Sequence, residues 1–234
     1  MAAIKPFQGI RYNLDKVRDM SKVVTPPYDV ISPQEQESYY RLHEQNIIRL
    51  TKGKDLPGDN NHVNKYTRAA SFFKEWCSKG ILQKDTKPAI YIYEQTFDIN
   101  NKPYSRKGFI SNIKLEELNT GHIFPHEQTL SGPKADRRKL IEACSSSFCC
   151  VFSLYQDTPT ENGTVSDVIN ANSRRTPDIS FIDDKEVKNM LWVVTEIDSI
   201  NKIVTLMRDK SLFIADGHHR YETALSYRNS MRES

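Results

Sequence analysis

The stretch Ser211-Leu212-Phe213-Ile214-Ala215-Asp216-Gly217-His218-His219-Arg220-Tyr221-Glu222 decides how the chain reads. Residues 212–215 form a short apolar run, read as a buried strand, that stops at Asp216-Gly217. Residues 221–225, Tyr-Glu-Thr-Ala-Leu, then read as a helix. Two histidines and an arginine therefore fall in a first helical turn. There the backbone N–H groups have no intrahelical partner and the dipole end is positive. Such a turn holds anions, and phosphate is the anion it fits best.

Working outward, the preceding segments alternate helix and strand. A helix near 164–173, strands near 178–182 and 190–197, and a helix near 199–208 lead into the quoted stretch. In the first half, residues 1–31 read as irregular or extended and end in Val24-Thr25-Pro26-Pro27-Tyr28-Asp29-Val30-Ile31, where paired prolines stiffen the chain. Ser32-Pro33-Gln34-Glu35 carries the marks of a capping box, and its helix should run to about residue 49. Val63, Tyr66, Ala70, Phe73 and Cys77 space out a second apolar helix face over about 62–79. Residues 89–97 and 104–115 read as two strands of a hairpin, 133–144 as a helix and 149–155 as a strand. The fold class is α+β, or mixed α/β, with the hairpin in the N-terminal half. Residues 1–120 form an N-terminal α+β portion and 121–234 carry the phosphate turn, within one continuous domain. Because a helix is still under way at Ser234, we expect an N-terminal portion of a longer protein.

Composition narrows the class. At 234 residues the chain can bury a substantial core. A net charge of +3 is too small to argue for nucleic acid by itself. No window approaches the roughly 20 apolar residues that span a bilayer, and the N-terminus lacks a secretory signal, so a cytoplasmic protein is expected. Cys77, Cys144, Cys149 and Cys150 match no zinc spacing and read as reduced, mostly buried thiols. Trp76 and Trp192 lie in apolar periodic segments and read as core.

Two further constellations accompany the turn. His126-Glu127-Gln128-Thr129 precedes Gly132-Pro133-Lys134-Ala135-Asp136-Arg137-Arg138, a basic helix start. A glutamate beside a phosphate-binding surface is a candidate base for activating a hydroxyl; equally, Glu127 reads as an ion-pair partner of Arg137 or Arg138. Tyr28 and Asp29 read either as a rigid wall or as a pocket lining that orients substrate. Asp216 reads as a helix cap, a second base or a metal ligand. A metal site built on His218 and His219 is disfavoured, because adjacent helical residues point in different directions.

These three blocks, in this order, resemble a large prokaryotic family long of unknown function and allied to the ParB/sulfiredoxin superfamily. The resemblance implies a ParB/sulfiredoxin-like core in which a Gly-x-His-Arg turn contacts nucleotide phosphates, matched here by Gly217, His219 and Arg220. Free serine kinases of that superfamily carry an Asp-Gly-His-His-Arg block, matched by Asp216, Gly217, His218, His219 and Arg220. Sulfiredoxin's reactive cysteine has no counterpart, because His218 stands there.

The expectation is a phosphotransferase that carries phosphate from ATP, ADP or pyrophosphate to the hydroxyl of a free amino acid, L-serine foremost. Gly217, His218, His219 and Arg220 would cradle the donor, and Lys134 and Arg137 would neutralise the transferring group. Glu127 is the first choice of base, with Asp216 and His219 also catalytic. Tyr28, Asp29, His126 and Thr129 would bind substrate, and Mg²⁺, held by Asp216, would bridge the phosphates. The rivals are a non-catalytic ParB-like module associated with nucleotide or DNA, and a nucleotidase or phosphatase. Neither a membrane nor nucleic acid is the expected partner, and the oligomeric state is open.

Overall fold

A computed structural model describes residues 3–118, 120–127 and 129–233. Its elements in chain order are β1 (Ile4–Lys5), β2 (Ile10–Tyr12), α1 (Pro33–Leu42), α2 (Ile48–Thr51), α3 (Lys65–Ser78), β3 (Leu82–Lys84), β4 (Ile90–Ile99), β5 (Lys102–Ile110) and β6 (Asn112–Ile113). They continue with β7 (Ile123–Phe124), α4 (Ser131–Cys144), β8 (Phe152–Leu154), α5 (Val165–Asn172), β9 (Ile179–Ile182), β10 (Lys188–Val194), α6 (Ile197–Met207), β11 (Leu212–Asp216) and α7 (His218–Glu233). The fold is mixed α+β. Among the described residues no helix is long and apolar enough to cross a membrane.

The chain divides into two compact units. The first comprises Met1–Gly9, Lys84–His126 and Phe152–Asp216; the second comprises Ile10–Gln83, Glu127–Val151 and Gly217–Ser234.

In the first unit, β5-β4-β10-β9 form an antiparallel sheet. Asn100 and Asn101, at φ 51° and 60°, make the two-residue turn of the β4–β5 hairpin. Asparagine tolerates that left-handed backbone, and the turn's twist matches the strands. One face of the sheet buries Ile90, Ile92, Trp192 and Val194 against Val165 and Ile169 of α5 and Ile203 and Met207 of α6. Full burial of such a side chain contributes about 1.5–3 kcal/mol. A second sheet has the order β7-β11-β8, parallel on one side of β11 and antiparallel on the other.

The second unit is mainly helical. Val23, Leu50, Ala69, Trp76, Leu140 and Cys144 form its core. The capping box at α1 forms as the sequence predicts: Ser32 Oγ accepts from Glu35 N–H, and the Glu35 carboxylate accepts from Ser32 N–H at 2.7 Å.

Several expectations need correction. The first helix ends at Leu42, seven residues short of 49, and a short helix, Ile48–Thr51, follows separately. Asn46 is the cause: it is fully buried, its amide donates to Lys22 O and its side-chain oxygen accepts from Ile48 N–H. Those bonds replace the helical ones at this point. On α3 the buried positions are Ala69 and Trp76, and Cys77 is exposed. Val63 lies outside the helix, because the Asn64 side chain caps it at Tyr66 and Thr67. Of the four thiols only Cys144 is buried; Cys77 faces solvent beside the buried Trp76, and Cys150 is exposed in the segment before β8. The run 212–215 is not a buried strand throughout. Leu212 and Ile214 are buried while Phe213 is exposed, as expected of a pleated strand with only one face covered.

Candidate functional site

Most of the predicted site residues belong to the second unit, and α4 and α7 carry Lys134, Arg137, His218, His219 and Arg220 among them. Gly217 sits at φ +92°, a conformation that favours glycine, and starts the turn into α7. A Cβ there would also stand 2.8 Å from Cζ and Nε of Arg220. The Gly217→Ala protein is therefore expected to lose at least about 1–2 kcal/mol, the cost of a left-handed non-glycine residue, with Arg220 displaced in addition. A melting temperature equal to wild type would contradict this.

The first turn of α7 sends its three side chains to three places. His218 is almost fully buried, at 1% exposure, and its Nδ1 lies 2.8 Å from Oε1 of Glu127. His219 Nε2 accepts from Leu130 N–H at 3.0 Å. That bond requires Nε2 to be unprotonated, so the ring carries its proton on Nδ1 and keeps a donor there. Arg220 is buried, and its Nη1 donates to the Cys150 carbonyl.

Glu127 is exposed, with half of its side chain open to solvent. Its partner is His218 rather than either arginine considered from sequence. Arg137 pairs with Asp136, and Arg138 with Glu142. Gln128 lies outside the described residues.

A second cluster forms one turn further along α7. Glu222 accepts from Thr129 Oγ1 at 2.8 Å to each carboxylate oxygen and from Lys134 Nζ at 2.9 Å. Burial raises the Glu222 carboxyl, but the bonds from Lys134 and Thr129 and the charge of Lys134 outweigh it. The carboxyl is left below its ordinary value. The sign for folding follows: a depressed acid stabilises the fold above its unfolded value, and that contribution is lost as pH falls through the folded one. The stability gap between wild type and Glu222→Gln should therefore be larger at pH 7 than at pH 3.5 in urea titrations. A gap that widens in acid would reverse the assignment.

Arg137 is buried beneath the Tyr28 ring, with Cζ 3.7 Å from the centroid. Its Nε donates to Asp136 Oδ2 at 2.9 Å and its Nη1 to Thr51 O at 2.8 Å. Asp136 also accepts from Tyr66 Oη at 2.7 Å. Burial raises the Tyr28 hydroxyl and is only partly opposed by Arg137. Asp29 is exposed in the short 3-10 turn Tyr28–Val30.

Two predicted residues belong to the first unit. The exposed His126 places Nδ1 2.6 Å from the Ile214 carbonyl, which can only accept, so Nδ1 carries the proton. Asp216 is exposed at the end of β11, in register with Phe152. Among the described residues no three His, Cys, Asp or Glu side chains gather as a metal cluster.

Within the second unit the fold thus brings together Glu127 with His218, Thr129 with Lys134 and Glu222, and Tyr28 with Arg137. Sequence reasoning gave no role to Glu222 or Asp136. The available signal for Glu222 was its spacing, one helical turn after His218 on α7.

No curated protein and no solved structure matches the chain. Residues 4–234 match the family described as protein of unknown function (DUF1015), and the chain belongs to that family.

Proposed function

We propose that this protein is a small-molecule kinase that phosphorylates the hydroxyl of a free amino acid, most simply L-serine to O-phosphoserine, in the cytoplasm. ATP, ADP or pyrophosphate would be the donor, on a ParB/sulfiredoxin-like core. One observation carries the reading: a half-exposed carboxylate, Glu127, lies 2.8 Å from a buried imidazole in the first turn of α7. A carboxylate oriented from one side and open to solvent on the other suits a base that must meet a hydroxyl.

In the transfer, the serine oxygen attacks the terminal phosphorus and Glu127 takes the hydroxyl proton. The P–O bond to the leaving group breaks, releasing ADP, AMP or phosphate according to the donor. The α7 backbone N–H groups and His219 Nδ1–H offer donors to the phosphate oxygens. Lys134, held by Glu222 and partly exposed, offers the mobile positive charge. Arg137 supports the site from beneath, its donors already engaged by Asp136 and Thr51. Magnesium commonly rests on one or two carboxylates plus substrate phosphates. Asp216, which immediately precedes the turn at Gly217, would be such a carboxylate. The ion would neutralise charge on the donor.

The test incubates the protein with Mg²⁺, L-serine and each donor in turn, and detects phosphoserine directly. Phosphoserine formed only when serine is present supports the kinase. Free phosphate released without an acceptor favours a phosphatase, and no product with any donor rejects the proposal.

A further inference from the structure

The first unit carries a surface that the proposed transfer does not use. In the β7-β11-β8 sheet, Ile123, Leu212 and Ile214 face the core. The opposite face is not polar, as a solvated sheet face normally is. Phe213 stacks on Phe124 with centroids 5.4 Å apart, and its other neighbour in register is Leu154. Phe213 is 52% exposed, Leu154 54% and Phe152 40%. An apolar face left open in this way usually marks a binding surface.

What covers it is indicated by Arg106 on β5. The guanidinium lies 5.3 Å from the Phe152 ring centroid and 5.9 Å from that of Phe97. Phe97 in turn stacks on the exposed Tyr104, centroids 6.4 Å apart and planes 21° from parallel. Arg106 also donates to the Gln95 side-chain oxygen. Gln95 is itself held, because its amide donates to Asn189 Oδ1 at 3.0 Å and Tyr93 Oη donates to the same oxygen. The guanidinium is therefore fixed between two aromatic rings, and among the described residues no carboxylate forms an ion pair with it. Lys107, its neighbour in sequence, is neutralised by Glu94 at 3.0 Å.

We propose that this face binds single-stranded nucleic acid, with bases stacking on the exposed rings and a backbone phosphate meeting Arg106. Exposed rings around an uncompensated arginine are the elements of sequence-tolerant single-strand binding. Two separate ring pairs, Phe124–Phe213 and Phe97–Tyr104, call for more than one base. An acidic peptide would satisfy Arg106 and leave the rings uncovered. A second copy paired along the open edge of β5 would oppose Lys102, Arg106 and Lys107 to their own kind. The inference stands apart from the proposed phosphotransfer.

The experiment measures fluorescence anisotropy of labelled DNA and RNA oligomers of about eight nucleotides, a length within the range of one single-strand platform. The full chain is used, without phosphate donor. Binding should weaken steeply with salt, and Phe213→Ala should weaken it about tenfold or more. Arg106→Gln should flatten the slope of log K against log salt by about 0.7. Both positions are exposed, and a thermal melt of each variant checks its fold. The proposal falls if wild type binds neither oligomer, or if both folded variants bind like wild type. It also falls if duplex or polyglutamate of equal charge binds as tightly. Preference between DNA and RNA identifies which strand is the natural one.

Discussion

Replacing Glu127 by glutamine is expected to lower phosphotransfer turnover by about 10²–10⁴-fold, the range associated with losing a positioned general base. Glutamine keeps the size of the side chain and can still lie beside His218, but it cannot accept the hydroxyl proton. Donor binding should be unchanged, since the phosphate contacts proposed for α7 and Lys134 do not pass through Glu127. Steady-state kinetics with serine as acceptor, beside a direct measurement of donor affinity, separate the two effects. Turnover within a few fold of wild type would remove Glu127 from the role of base.

The largest effect on stability is expected from Arg137→Ala. Removing one member of a buried ion pair costs about 3–5 kcal/mol, because the partner charge is left behind. Here the loss should lie near the lower end, since Asp136 keeps Tyr66 at 2.7 Å and Lys65 at 3.4 Å. Thr51 would lose the donor to its carbonyl, and the Tyr28 ring would lose the cation beneath it. For a chain of this size, about 3 kcal/mol corresponds to a fall in Tm of roughly 6–12 °C. A calorimetric shift of only a degree or two would show that the pair contributes little.

The elements most legible in the sequence are those specified by neighbours along the chain. The Ser32–Glu35 capping box, the hairpin in the N-terminal half and the strand-glycine-helix step at Gly217 each depend on a few consecutive residues. The α1 break was not legible, because it depends on Asn46 reaching the backbone of Lys22, which no local pattern encodes. The same limit applies to the candidate site. The blocks around Glu127, Lys134 and His218 stood out, but their pairings did not. Glu127 meets His218 across 91 positions, and a basic run at 134–138 gives no sign that each cation takes a different acceptor. Spacing along the chain fits the pairs Arg137–Asp136 and Arg138–Glu142 that form within α4 itself, whereas the packing of α4 against α7 decides that Lys134 meets Glu222.

The interleaving of the two units has a consequence for how the protein is made. Every segment of the first unit has left the ribosome once Asp216 has emerged, whereas the second still awaits Gly217–Ser234. The sheet-rich unit can therefore finish folding during synthesis, as domains commonly do. The helical unit must keep Ile10–Gln83 and Glu127–Val151 waiting for α7. Glu127 and Lys134 are translated long before His218 and Glu222, so the constellation they form assembles only after α7 has emerged, and nascent chains halted before α7 would lack it altogether.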